Sequence, residues 1–162
     1  MRETDGRVRV AAPADRDVLV GLMAEFYAES TEPFDAERSA EAFGRILGDD
    51  ALGRVWLFEI GEEAAGYVVM TLGFSMEYSG RDAFVDDLFV RAPYRRRGLG
   101  SEAMTVVMEE CRRRDVLALH LEVDRRNLAA KELYRQYGFR DKERQLLTAD
   151  LRSDQQTERT QE

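Results

Sequence analysis

Six consecutive residues, Arg95-Arg96-Arg97-Gly98-Leu99-Gly100, place three guanidinium groups beside two glycines where an apolar strand pattern gives way to a helical one. This is anion-binding chemistry. N–H groups at a helix start have no intrahelical partner, glycines let an anion approach the backbone, and arginines add charge-assisted donors. Two phosphate-loop alternatives can be tested on the residues themselves. A mononucleotide P-loop needs Gly-Lys-Ser/Thr, but Gly100 is followed by Ser101 and Glu102. Gly98 to Ala103 satisfies the dinucleotide Gly-x-Gly-x-x-Gly/Ala spacing, with Glu122 near the expected ribose-binding position, yet that fingerprint begins directly off its strand. Here Pro93 and the arginines intervene between Val90 and Gly98. Upstream, Asp86-Asp87 interrupts the strand-like run Ala83 to Val90, and two adjacent acids in such a strand call for a reason.

The elements that must position these residues follow from periodicity. Arg7 to Ala11 alternates like a short strand. Val18, Leu19, Leu22, Met23 and Phe26 then repeat at helical spacing, and Ala40, Phe43 and Leu47 mark a second helix ended by Gly48-Asp49-Asp50. Val55–Ile60 and Tyr67–Phe74, separated by Gly61-Glu62-Glu63, read as an antiparallel hairpin. Leu99, Ala103, Val107 and Cys111 form an i+4 stripe on a helix of about 15 residues ending in Arg112-Arg113-Arg114, where cations suit the helix dipole. Leu117 to Val123 alternates as a half-buried strand, Asn127 to Gln136 is a last helix stopped by Gly138, and Phe139 to Leu151 supplies one more strand or an abbreviated pair. The order β-α-α-β-β-β-α-β-α-β is an α+β arrangement with a mixed, mostly antiparallel sheet flanked by helices. Residues 1–151 form a single domain in this reading, and 152–162, without a hydrophobic residue, form a disordered polar tail.

Composition narrows the partners. A net charge of −8 disfavours a nucleic-acid backbone, and no apolar stretch approaches the length of a membrane span. The expected location is the cytoplasm. Cys111 is the sole cysteine and falls on an apolar stripe, so it reads as core, with no metal implied anywhere. His120, a lone histidine on a strand, reads as a structural group.

The chain resembles the GNAT superfamily of acetyl-CoA-dependent N-acetyltransferases. Arg95 to Gly100 matches its Gln/Arg-x-x-Gly-x-Gly/Ala signature, Leu88-Phe89-Val90 the strand before it, and Asn127, Ala130, Leu133-Tyr134 and Gly138-Phe139 its second block. The agreement spans residues 83 to 140. The resemblance implies that backbone groups of Leu88, Phe89 and Val90 pair with the pantetheine arm of acetyl-CoA. It also implies that Arg95, Arg96, Arg97, Gly98, Leu99, Gly100 and Ser101 hold its pyrophosphate, and that Asn127 shares the cofactor groove. The stretch after Phe139 is short for the family's closing pair of strands.

Thioester aminolysis needs a neutral amine and a protonated leaving thiolate. Tyr134 is the acid candidate, since a phenol keeps its proton at pH 7. For the base, Glu122 occupies the position that resembles the members acetylating N-terminal amines of ribosomal proteins. Asp86 resembles the acidic strand of the polyamine acetyltransferases. Asp87, water alone or a base elsewhere also remain open. The acceptor is expected to be a small cationic amine or a peptide amine, entering past Glu25, Glu29, Glu32, Asp35 and Glu37, with Phe26, Tyr27, Phe34 and Met76-Glu77-Tyr78 nearby. A homodimer is compatible with this reading. The alternative function is a non-catalytic acyl-CoA-binding or regulatory domain on the same scaffold.

Overall fold

A computed structural model describes residues 6–152. Five strands, β1 (Gly6–Val10), β2 (Gly53–Ile60), β3 (Glu63–Ser75), β4 (Gly80–Val90) and β5 (Ala118–Leu121), form one sheet in the order β1-β2-β3-β4-β5. All pairings are antiparallel except β4 with β5. Four helices, α1 (Arg16–Ser30), α2 (Ala36–Gly48), α3 (Leu99–Arg113) and α4 (Leu128–Gln136), flank the sheet.

Local chemistry sets the helix ends. Ahead of α1, Asp15 accepts the Ala12 N–H at 2.7 Å and a two-pronged contact from Arg9 at 2.8 and 2.9 Å, so β1 and the start of α1 are fastened together. The Asp35 carboxylate caps α2 by accepting the Arg38 N–H. Each face of the sheet buries its own core. Trp56, Phe58, Val68, Met70, Ala83 and Val85 meet the α3 stripe Leu99, Ala103, Val107 and Cys111. On the other face Val55, Leu57, Tyr67, Val69 and Phe89 meet Leu19, Leu22 and Phe43 of α1 and α2. The i+4 stripe of α3 is buried as its spacing predicts. Burial pushes the Cys111 thiol up to about 11, as befits a core residue and not a nucleophile.

The pairing of β3 with β4 shifts by one residue at Val69/Met70, leaving Asp86 as the extra residue of a β-bulge. The phase of β4 therefore inverts. Before the bulge Ala83 and Val85 face α3; after it Leu88 and Val90 do, while Phe89 faces the α1 side. Close approach on this side of the ladder requires Gly66, where a Cβ would lie 2.1 Å from the Phe89 carbonyl oxygen.

Two expectations are corrected. The strand expected over Leu117 to Val123 is only four residues, Ala118–Leu121, so Glu122 stands just beyond its end and not within it. The closing strand expected within Phe139 to Leu151 does not form among the described residues. Glu143 takes φ 56°, a left-handed kink incompatible with an extended run. Lys142 and Arg144 are drawn to Glu77 in the β3–β4 turn, away from any ladder. Apart from Arg152, the tail expected to be disordered lies outside the described residues.

Candidate active site

Strand β5 runs beside β4 only from Asp82↔Ala118 to Val85↔Leu121. One residue further on, the bulge bends β4 and β5 ends. From Asp86 to Val90 the outer edge of β4 therefore has no strand partner among the described residues. This parting is the centre of the site. An extended amide-bearing chain could pair with such an edge.

The Arg-rich segment stands at the upper end of the parting. Arg96 at φ 63° and Gly98 at φ 82° both adopt the left-handed region, turning the chain sharply into α3. Gly98 is the N-cap and no side chain among the described residues caps the helix, so the first-turn N–H groups, those of Leu99, Gly100 and Ser101 among them, remain open donors. The three arginines divide their work. Arg95 donates from Nε to the Val90 carbonyl at 2.8 Å and pairs with Glu29 at 2.7 Å, while Arg91 pairs with Glu25, one turn earlier on α1. These rungs lash α1 to the loop. Arg97 lies over the Tyr94 ring at 5.7 Å, and Arg96 has no hydrogen bond or ion pair among the described residues. Of the three side chains, Arg96 is thus the one unengaged.

Below the parting is a cleft of about 530 Å³ lined by Phe26, Tyr27, Ser30 and Glu32 of the α1 region, Asp86 and Asp87 of β4, and Glu122, Val123 and Asp124 after β5. The two base candidates, Glu122 and Asp86, thus meet in one cavity. The bulge answers why two adjacent acids interrupt a strand: successive residues normally point to opposite faces, but across the bulge both reach the same cleft. Asp87 is the most enclosed of these acids. Its carboxylate accepts from the Tyr67 hydroxyl at 2.8 Å and faces the Tyr27 hydroxyl at 3.5 Å. Desolvation, reinforced by the charge of Asp86, lifts its pKa to about 6 against the pull of those hydroxyls. Desolvation also raises Asp86. Burial and the charge of Asp87 push Tyr27 up to about 12.

The Asp87 shift has a measurable consequence. The folded chain holds this proton more tightly than the unfolded chain, so charging Asp87 costs stability as the pH rises from about 4 through about 6. Asp87→Asn, which retains an oxygen to accept from Tyr67, is expected to stabilise the protein by roughly 2 kcal/mol at pH 8 and by much less at pH 4. Urea unfolding at the two pH values measures it; a pH-independent difference would rule out a proton held at Asp87.

The other expected residues are distributed around this centre. Tyr134 is half-buried on α4, on the α3 side of the parting with Leu88, Val90 and Leu121, its ring edge-on to Phe139 at 5.8 Å. Burial raises its pKa. It does not line the acidic cleft. Asn127 is the N-cap of α4, its side-chain oxygen accepting the Ala130 N–H at 3.1 Å, so its first duty is local. Of the acids expected along the acceptor path, Glu32 alone reaches the cleft. Glu25 and Glu29 are taken by arginines, Asp35 caps α2, and Glu77 holds Lys142 and Arg144. Sequence reasoning missed two hydroxyls, those of Tyr67, which faces Asp87, and Tyr137. Tyr137 donates to the Ser101 carbonyl at 2.8 Å and so ties α4 to the first turn of α3. Neither has a local spacing signal, because each contact spans separate elements.

With this geometry in place, the comparisons define the class. The model of the acetyltransferase (GNAT) family matches residues 19–139, and the chain belongs to that family. It is similar to an integron cassette protein, HFX_CASS3, from the mobile metagenome of Cole Harbour Salt Marsh. That crystal structure is 42% identical with TM-score 0.81, over 89% of this chain and 90% of that one. A predicted acetyltransferase from Clostridium acetobutylicum, solved with acetyl-CoA, is 17% identical with TM-score 0.75, over 91% and 97% of the two chains. AAC(6')-Iy, solved with a bisubstrate analog, CoA-S-monomethyl-acetylneamine, is 14% identical with TM-score 0.77, over 90% and 97%. At these low identities the likeness is one of fold. The search of curated proteins finds no match.

Proposed function

We propose that the protein is an N-acetyltransferase that moves an acetyl group from acetyl-CoA directly to a primary amine in a ternary complex. The observation that carries this reading is the parting of β4 from β5 at Asp86, with an uncapped helix N-terminus at one end and an acidic cleft at the other. The N–H groups of α3 and the free Arg96 side chain would hold the pyrophosphate, and the β4 edge near Leu88 and Phe89 would hold the pantetheine arm. Because the Val90 carbonyl is already taken by Arg95 and the Phe89 carbonyl is turned toward β3, that pairing would use the Leu88 groups and the Val90 N–H. Acetyl-CoA supplies the activated acyl group.

The acceptor arrives as an ammonium ion, attracted by a cleft whose lining holds five carboxylates and no Lys or Arg. Glu122, at the mouth, removes its proton, with Asp86 as the nearest rival. The amine forms its C–N bond as the C–S bond breaks, the Tyr134 hydroxyl protonates the departing sulfur, and the proton shed by the new amide nitrogen restores the phenol through solvent. A thiolate leaving group is thereby neutralised as it forms.

Screening primary amines for release of free CoA is the direct test. Release dependent on one class of amine supports the reading. Acetyl-CoA binding with no acceptor-dependent release would identify a non-catalytic acyl-CoA-binding domain instead. Within the active assay, Glu122→Gln is expected to lower the rate and to alter the acid limb of its pH profile more than Asp86→Asn does. The reverse ranking would reassign the base to Asp86.

A further inference from the structure

The sheet surface does not stop at the acidic cleft. On the face shared with Asp87, the cross-strand pair immediately before the parting is Phe84↔His120. These two rings lie 4.9 Å apart, and Tyr78 flanks His120 at 5.9 Å. Neither α1 nor α2 covers them: Phe84 is 38% exposed, while Phe89, on the same face beyond the bulge, is only 4% exposed. The shelf is also held rigid. His120 Nε2 is 3.1 Å from an Asp82 carboxylate oxygen, and the Lys142 ammonium sits 5.1 Å over the Tyr78 ring.

Two residues further along the chain come Asp86, at the bulge, and Glu122, just past the end of β5, both in the lining of the cleft. An aromatic row is thus followed by a pair of acids in the lining of the cleft. A ligand that satisfies both rows carries a flat apolar ring at one end and an ammonium at the other. The aromatic groups inside the cleft are less available for this, because Phe26 is already packed on Phe89 at 5.2 Å and on Tyr27 at 5.5 Å.

We propose that the acceptor is an arylalkylamine, a primary amine two or three bonds from an aromatic ring, with the ring on Phe84 and His120 and the ammonium between Asp86 and Glu122. This rests on the acetyltransferase reading for the fate of the amine but not for its binding. Polyamines and simple alkylamines satisfy the acidic row and leave the aromatic one bare.

His120 is the only histidine in the chain, so its imidazole signals in the NMR spectrum of the intact protein are assigned without ambiguity. Titration with 2-phenylethylamine, with no donor present, is expected to shift those signals upfield by ring current, whereas n-butylamine and putrescine leave them nearly in place. The dissociation constant of 2-phenylethylamine is expected to be roughly tenfold below that of n-butylamine. In Phe84→Leu, which keeps apolar bulk but no ring, most of that difference is lost while acetyl-CoA affinity is unchanged. Equal shifts with all three amines, no shift at all, or tighter binding of putrescine would overturn the proposal. Binding with these features but no CoA release with any amine would leave the aryl site standing and overturn the catalytic reading alone.

Discussion

Gly98→Asp is expected to abolish the thermal stabilisation that acetyl-CoA confers while leaving the free protein folded. Gly98 is the N-cap of α3 at φ 82°, and a Cβ built there meets no atom within 4 Å. The cost in the free protein is the left-handed backbone alone, about 1 kcal/mol, and aspartate is among the residues that tolerate it best. The cost in the complex is far larger. A carboxylate would compete for the N–H groups that a pyrophosphate needs, and would place a negative charge against negative phosphates at the positive end of the helix. Loss of two charge-assisted hydrogen bonds and the added repulsion amount to roughly 3 kcal/mol or more, about a hundredfold in affinity. Gly98→Asn separates charge from shape, since it has nearly the same volume and the same tolerance for positive φ; it should retain much of the binding. Differential scanning with and without acetyl-CoA measures both variants. Undiminished stabilisation of Gly98→Asp would remove the α3 N-terminus from the donor site.

Tyr134→Phe is expected to lower kcat by about a hundredfold or more with little change in KM for acetyl-CoA, the signature of a group that acts in the transition state. The phenylalanine ring can keep the edge-on contact with Phe139 and its packing against the core on the α3 side. No hydrogen bond to the Tyr134 hydroxyl exists among the described residues, so its removal orphans no partner. Stability should therefore be unchanged, and a drop in kcat can be assigned to the lost proton. Burial raises the pKa of the phenol and so keeps it protonated at neutral pH, where the wild-type rate should not fall from ionisation of Tyr134. Steady-state kinetics on both proteins decide the matter, and wild-type turnover in the variant would leave Tyr134 as a packing residue.

What the chain determined by itself was everything carried by local pattern. The i+4 stripe Leu99, Ala103, Val107 and Cys111 dictated the buried face of α3, because a helix repeats its direction every 3.6 residues whatever it packs against. The glycines at 98 and 100 with the preceding arginines marked the helix start, since backbone freedom and uncapped N–H groups are properties of those few residues. The strand expected within Phe139 to Leu151 does not form among the described residues. The left-handed turn at Glu143 and the attraction of Lys142 and Arg144 to Glu77 involve a distant loop.

Only the tertiary structure decided the cleft. Asp86 and Asp87 alternate in any regular strand, and the one-residue bulge that unites them exists only in the register of β4 against β3. It brings Asp87 to Tyr67 and Tyr27, 20 and 60 residues away, whose hydroxyls and surrounding apolar groups set its protonation. It also ends the pairing with β5, opening the strand edge beside Glu122. Of three adjacent arginines the sequence could not choose between, Glu29 and the Val90 carbonyl claimed Arg95, the Tyr94 ring drew Arg97, and Arg96 was left open. Charge pairing across elements depends on distances that only the folded chain creates, which is why residue type alone could not divide these side chains among their partners.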